Sequence, residues 1–365
     1  MNDKELSIYI HFMYCKSRCP YCDFFRALKP REFDENEYVK TIISDLERSR
    51  SLTGKRRVKS VFFGGGTPSI LSENAVGEIL DNIDKCYDIK KGAEISLEAN
   101  PNTYDRDKFK GFNIAGVNRL SLGVQALDDK RLKALGRTHN LNEAREAIKT
   151  AVELFDKSSI DLIYALKDQE FCDWVKEIDE ALSFGVKHIS LYQLTIEEGT
   201  VFYKKNIKGM DEDLSAKFYE DTVCYLASKG FDRYEVSNFA KDEYNRSVHN
   251  MVYWQGGDYL GLGMGAHGRL NLEGKNFSLV DGKICEQLTS DERAMELVIM
   301  GLRIKEGINV KKFYEISKIG LFDYLDMNKV MMFRDEGLLC FDEYSLRLTN
   351  KGFLVMDKII EQIIY

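Results

Sequence analysis

Short β-rich runs and longer amphipathic stretches alternate through the first two-thirds of the chain. The runs are LSIYIHF (6–12), VKSVFFG (58–64), AEISLEA (93–99), NRLSLGV (118–124), SIDLIYA (159–165), KHISLYQL (187–194) and RYEV (233–236). Between them lie helical patterns over roughly 34–50, 72–87, 103–115, 140–155, 169–184 and 212–229. Strand and helix in strict alternation mark a parallel sheet with crossover helices. Six or seven such units predict an α/β fold over residues 1–236, a partial (β/α)6-type barrel, with an open doubly wound sheet as the alternative. A barrel of this kind works at the C-terminal ends of its strands.

Residues 237–289 read as an irregular, Gly- and Asn-rich connection around YLGLGMGAHGRL. From residue 290 to 365 the pattern changes to three helices, a hairpin around LLCFDEYSLRLT and a last helix, a winged-helix-like α+β module. Its third helix segment, MNKVMMFRDEG, lacks the basic face of a nucleic-acid reader, so the module is expected to pack or to cover a substrate.

Composition narrows the partners. Hydrophobic residues are 44% and charged residues 30% of 365, values that suit a chain burying a sizeable core. The net charge of -7 argues against a nucleic-acid surface. No run approaches ~18 apolar residues, so no membrane span is expected, although a transient membrane-surface contact stays open. The polar start MNDKELS predicts no secretory signal. Eight cysteines without such a signal point to a reducing, cytoplasmic setting, where clustered thiols more often hold metal than form disulfides.

Three of those cysteines fall in Cys15-x3-Cys19-x2-Cys22, directly after the first strand. Soft sulfur ligands suit zinc or iron–sulfur clusters. Structural zinc wants four ligands, and no fourth Cys or His follows nearby. Three thiolates on a cubane leave one iron open to a small chelating molecule. Further polar groups recur at the ends of successive strands. Gly64-Gly65-Gly66-Thr67-Pro68 ends the second, where glycines would let backbone N–H groups approach an anionic ligand. Glu98 ends the third, Gln125 the fourth, Arg137 follows with a planar fork suited to a carboxylate, and Asp161 lies on the fifth.

The triplet and the GGTP turn resemble those of radical S-adenosylmethionine (SAM) proteins. That likeness implies a 4Fe–4S cluster on Cys15, Cys19 and Cys22, SAM on the open iron, and a 5'-deoxyadenosyl radical on reduction. An aromatic before the last cysteine is usual there, and Tyr21 fits. IYIHFMYCKSRCPYCDF, LEANPNT, RLSLGVQALDDKRLKALGRTH, RYEVSNFA, HNMVYW and GLGMGAHGR extend the resemblance over the whole chain. It is to the oxygen-independent coproporphyrinogen III oxidase group, and within it to the HemW branch of haem chaperones. The resemblance implies that Tyr9, Tyr21, Gly65, Gly66, Thr67, Glu98, Gln125, Arg137 and Asp161 contact SAM. It also implies haem as cargo, haem-accepting proteins as partners, and an electron donor to the cluster.

Two classes stay in contention, an oxidative decarboxylase of coproporphyrinogen III and a haem carrier. Oxidases of the group have a further cysteine two positions after the third, where this chain has Phe24. The carrier-like HNxxYW segment is present as His249–Trp254, with His249 as the expected haem ligand and His267 as its rival. Met264 and Cys285 are weaker rivals; Cys86, Cys172, Cys224 and Cys340 are expected to pack. Two departures stand out. The usual proline before the first cysteine is lost in Phe12-Met13-Tyr14, and a family Gly-Leu-Pro-Gly reads Ala165-Leu166-Lys167-Asp168.

Overall fold

Alternate residues of each early run meet different surroundings, and that fixes the sheet. Leu6, Ile8, Ile10 and Phe12 pack with Val39, Ile42 and Leu46 of the first helix in the main core. Ser7, Tyr9 and His11 point the other way, into a polar lumen, as the two-residue period of a strand requires. The computed structural model describes residues 5–364, so residues 1–4 of the polar start and Tyr365 at the end of the last expected helix lie outside the described residues.

Six strand–helix units follow in order: β1 (Leu6–Phe12) and α1 (Glu35–Thr53), β2 (Arg57–Gly65) and α2 (Glu73–Cys86), β3 (Asp88–Ala99) and α3 (Arg106–Ile114), β4 (Arg119–Gln125) and α4 (Leu141–Leu154), β5 (Lys157–Tyr164) and α5 (Phe171–Ser183), β6 (His188–Gln193) and α6 (Glu212–Ser228). Strands β1 to β6 pair in sequence, all parallel. The curved sheet does not close, because β1 and β6 pair with other strands on their outer edges. This is the α/β partial barrel that the alternation predicts. The RYEV run adds no seventh parallel strand: Arg233 belongs to a two-residue strand, Asp232–Arg233, that pairs antiparallel with β7 (Asn238–Ala240), itself antiparallel to β6, and Glu235 makes an isolated antiparallel bridge to Ile304.

The stretch expected to be irregular is ordered. It holds β7, α7 (Val248–Trp254), β8 (Tyr259–Leu262) parallel to β1, and an antiparallel meander of β9 (His267–Leu272), β10 (Lys275–Val280) and β11 (Lys283–Leu288). Its glycines read as loop signals, yet they permit close backbone crossings. A Cβ on Gly261 would stand 2.1 Å from the His267 carbonyl oxygen, so only glycine lets β8 and β9 approach there.

The C-terminal part has its own core, with Phe313, Leu321, Val330, Leu346 and Ile359 fully buried. Helices α8 (Ser290–Gly301), α9 (Val310–Ser317) and α10 (Met327–Asp335) precede a small antiparallel sheet with Ser345–Leu348 between Ile308–Asn309 and Leu339–Phe341. Helix α11 (Met356–Ile363) closes it, with Ile359, Ile360 and Ile363 on its buried face. Among the described residues no helix is long and apolar enough to cross a membrane.

Candidate active site

The cysteine loop hangs from the end of β1 and is pinned at several points. A short parallel ladder joins Tyr14 to Ala27 and Cys15 to Leu28, so both ends of the loop are tied. Pro20 packs on Gly136, where a Cβ would come within 2.6 Å of its ring and φ is +65°, so glycine is required. The Phe202 amide donates to the Pro20 carbonyl at 3.0 Å. Rings of Phe12, Tyr14, Phe33 and Tyr38 interlock edge to face at centroid distances of 5.2–5.7 Å in four contacts. That cluster stiffens the segment where the family proline is missing.

Two arginines face the sulfurs. Arg26 Nε lies 2.8 Å from Cys22 Sγ, and its Nη2 donates to the Cys19 and Cys22 carbonyls at 2.9 Å each. Arg137 Nη1 lies 3.3 Å from Cys19 Sγ and 3.4 Å from the Tyr21 hydroxyl, while Nη2 donates to the Gly123 carbonyl at 2.8 Å. Burial pushes the Cys15 thiol up, opposed by a Thr67 hydrogen bond and the Arg26 charge. Fixed positive charge is what a gathering of thiolates needs.

All three cysteines line one cavity of about 330 Å³ at the C-terminal ends of the barrel strands. Tyr21, Gly65, Gly66, Thr67, Glu98, Gln125, Arg137 and Asp161 share its wall, so residues from five strand ends meet there. The two remaining expected contacts do not line it. Tyr9 stands one layer deeper, its hydroxyl donating to His11 Nδ1 at 2.9 Å and its ring 6.2 Å from that of Phe62. His249 lies deeper still.

The glycine turn has a different job from the one its sequence suggests. The Gly66 amide donates to Phe12 O at 2.7 Å and the Thr67 amide to Tyr14 O at 2.9 Å, while the Gly65 amide meets Glu98 Oε2 at 3.1 Å. These N–H groups dock the cysteine loop on β2 and hold a carboxylate, so they do not form an open anion cradle. A Cβ on Gly66 would sit 2.6 Å from Tyr14 O, which explains the glycine. Gln125 occupies a left-handed φ of +73°, strain of the kind that gathers at functional sites.

A profile for the radical SAM superfamily matches residues 9–181, and one for the HemN C-terminal domain matches residues 288–355. The protein named heme chaperone HemW of Buchnera aphidicola (subspecies Acyrthosiphon pisum) is 32% identical over 98% of this chain and 97% of its own length. The Escherichia coli protein of that name is 39% identical over 73% of this chain and 70% of its own. This chain is a HemN-type radical SAM protein close to HemW. Radical S-adenosyl methionine domain-containing protein 1, mitochondrial, of Bos taurus is 34% identical over 98% of this chain and 87% of its own. The solved coproporphyrinogen III oxidase HemN of Escherichia coli superposes with a TM-score of 0.82 at 20% identity, covering 98% of this chain and 90% of that one.

The radical SAM family implies a 4Fe–4S cluster and SAM, and the donor set here fits both. Three soft thiols share one cavity wall, the ligand type that suits an iron–sulfur cluster. Arg137 Nε is buried without a partner on the cavity wall, a donor left over for a ligand.

Glu98 and Asp161 share the wall of that cavity. Burial, then Asp161, pushes the Glu98 carboxyl up to about 8, against the Gly65 hydrogen bond. Burial pushes Asp161 up to about 6, opposed by hydrogen bonds from Ser190, Ser121 and Ser159. Both groups therefore bind protons in the folded chain that the unfolded chain has released. Stability is full below the ordinary Glu range and is lost as pH rises toward about 8. Glu98→Gln removes most of that slope. Between pH 5.5 and 8.5 the ligand-free wild type should lose about 1–3 kcal/mol more than the variant, read as thermal melting. Parallel pH dependence in the two would refute this.

Some residues escaped the sequence reading. Arg26, the cation nearest the triplet, was signalled only by its place within the loop. Tyr192 and Gln193 end β6 and line the same cavity, where the strand-end rule applied to β6 would have found them. The expectation that Cys172 and Cys224 pack is wrong, since both are exposed, as is Cys285; Cys86 and Cys340 are half-buried.

His249, expected as a haem ligand, is enclosed. It is 1% exposed. Its Nδ1 is 2.9 Å from Ser60 Oγ, and its Nε2 bonds the Tyr253 hydroxyl. Burial and the Lys59 charge push its pKa down to about 3. Ser60 and its partner Ser7 lie at the N-terminal ends of the strands, the face that serves stability in such barrels. A macrocycle has no access to either ring nitrogen without opening α7 from the barrel.

Proposed function

We propose that this radical SAM protein is a haem chaperone of the HemW type, which binds haem and passes it to acceptor proteins in the cytoplasm. The observation that carries the reading is position 24. Where the oxidases of the group have a cysteine, Phe24 stands here, 65% exposed at the edge of the cluster cavity. The relatives named heme chaperone HemW support it, at 32% identity over nearly the whole chain in one case.

In this reading Cys15, Cys19 and Cys22 hold a 4Fe–4S cluster, with Arg26 fixing the Cys22 sulfur and Arg137 the Cys19 sulfur through the contacts above. When bound and reduced by an electron donor, the cluster supplies one-electron chemistry to SAM. Glu98 and Asp161 accept hydrogen bonds from hydroxyls of the ligand, Gln125 positions it, the Gly65–Thr67 turn holds Glu98 and the cysteine loop in place around it, and Tyr21 walls it from Phe202, whose ring lies 6.3 Å away. Tyr9 acts through the second layer.

The test is to give anaerobically reconstituted protein coproporphyrinogen III, SAM and a low-potential reductant, and separately haemin. The reading expects near-stoichiometric haemin binding and no decarboxylation. Accumulation of protoporphyrinogen would instead establish the oxidase.

A further inference from the structure

The enclosure of His249 raises the question of where an iron porphyrin would sit, and the rim above β8 answers it. The Gly263–Ala266 turn joins β8 to β9 beside the end of β1, since a Cβ on Gly263 would stand 2.6 Å from the His11 carbonyl oxygen. The turn is clamped from the tip of the β10–β11 hairpin. Asp281 Oδ1 accepts from the Gly265 amide at 2.6 Å, and the Asp281 amide donates to Ala266 O at 2.8 Å. Phe25 lies over the turn: a Cβ on Gly265 would come within 2.5 Å of its ring. The Phe25 carbonyl in turn accepts from His11 Nε2 at 3.0 Å, which ties the cysteine loop to the same rim.

The groups so fixed are apolar and open to solvent. Phe25 is 56% and Met264 61% exposed, next to Phe24. His267 follows the turn at once and is exposed at the start of β9. It pairs with Val280, and Val280 pairs with Lys283, so the three share one face of the sheet. Two strand spacings put Lys283 about 10 Å from His267. An exposed imidazole, flat apolar cover and a cation one porphyrin radius away are the complement of a plate with a central iron and carboxylates on its edge.

We propose that haem docks on this rim, with His267 as the axial ligand, Phe24, Phe25 and Met264 against the macrocycle, and Lys283 toward the propionates. The inference rests on the haem-carrier reading, and it replaces His249 as ligand. Its place beside the cluster loop puts the cargo next to the cavity wall that Phe24 shares.

Haemin titration of the full-length protein, followed in the Soret band, tests it. His267→Ala should weaken binding at least tenfold and shift the Soret maximum. Lys283→Glu should weaken it severalfold without a spectral shift. His249→Gln, which keeps hydrogen-bonding groups for Ser60 and Tyr253, should bind and absorb as wild type, with circular dichroism confirming its fold. Wild-type affinity and spectrum in His267→Ala overturn the site alone. Loss of the wild-type spectrum in a folded His249→Gln also overturns it. No binding by wild type overturns both the site and the carrier reading.

Discussion

Cys19→Ser is expected to abolish cluster assembly. After anaerobic reconstitution with iron and sulfide, wild type should hold about four irons per chain and the variant under one. A hard hydroxyl is a poor ligand for iron–sulfur chemistry, and two thiolates cannot hold a cubane whose fourth iron already lacks a protein ligand. Position 19 is the most informative of the three. Its sulfur faces Arg137, its carbonyl accepts from Arg26, and its neighbour Pro20 is seated on Gly136. The backbone there is held whatever the side chain, so the loss reports ligation and not collapse of the loop. Cys224→Ser on α6 is the control, because that thiol is exposed and does not line the cavity. Full iron content in Cys19→Ser would sink the assignment.

The site was legible where chemistry is local and opaque where burial decides. The triplet could be read because its three ligands lie within eight residues and need no knowledge of packing. Glu98, Gln125 and Asp161 could be read because parallel strands must bring their C-terminal ends to one face. His249 could not, because what encloses it comes from 189 residues away, at Ser60. The order in residues 237–289 was hidden for a related reason. Gly261 looks like a turn signal until β9 is known to cross it. The departure at residues 165–168 reads differently in three dimensions. Ala165 and Asp168 keep left-handed φ values of +59° and +62°, so this chain holds a glycine-like backbone with residues that pay roughly 1 kcal/mol each for it. The path of the chain past β5 survives the substitution.

Arg119→Met is expected to destabilise the protein by about 3–5 kcal/mol, the cost of breaking a buried ion pair from one side. Arg119 and Glu94 are almost wholly buried in the floor of the barrel, Nε to Oε2 at 3.0 Å, with Lys157 Nζ at 3.2 Å from the same oxygen. Arg119 Nη2 also donates to the Asn245 and Arg246 carbonyls at 2.6 and 2.8 Å. The other Glu94 oxygen accepts from the Val248 and His249 amides at 2.8 and 3.3 Å, the first turn of α7. One carboxylate thus closes the barrel floor and satisfies orphan donors of the helix that carries the HNxxYW segment. Removing the guanidinium leaves Glu94 with Lys157 as its one counter-charge and orphans the Asn245 and Arg246 carbonyls; Glu94→Gln should cost at least as much, because keeping its oxygen on α7 turns its NH2 donor onto Arg119 and Lys157. Equilibrium denaturation should rank wild type above both variants, with Glu94→Gln no more stable than Arg119→Met. If Arg119→Met melts within a degree of wild type, the floor is not held this way. The ranking also separates two meanings of the HNxxYW segment. If its role is to seal the lumen, both floor variants should lose stability in proportion while haemin affinity of the folded fraction stays as in wild type.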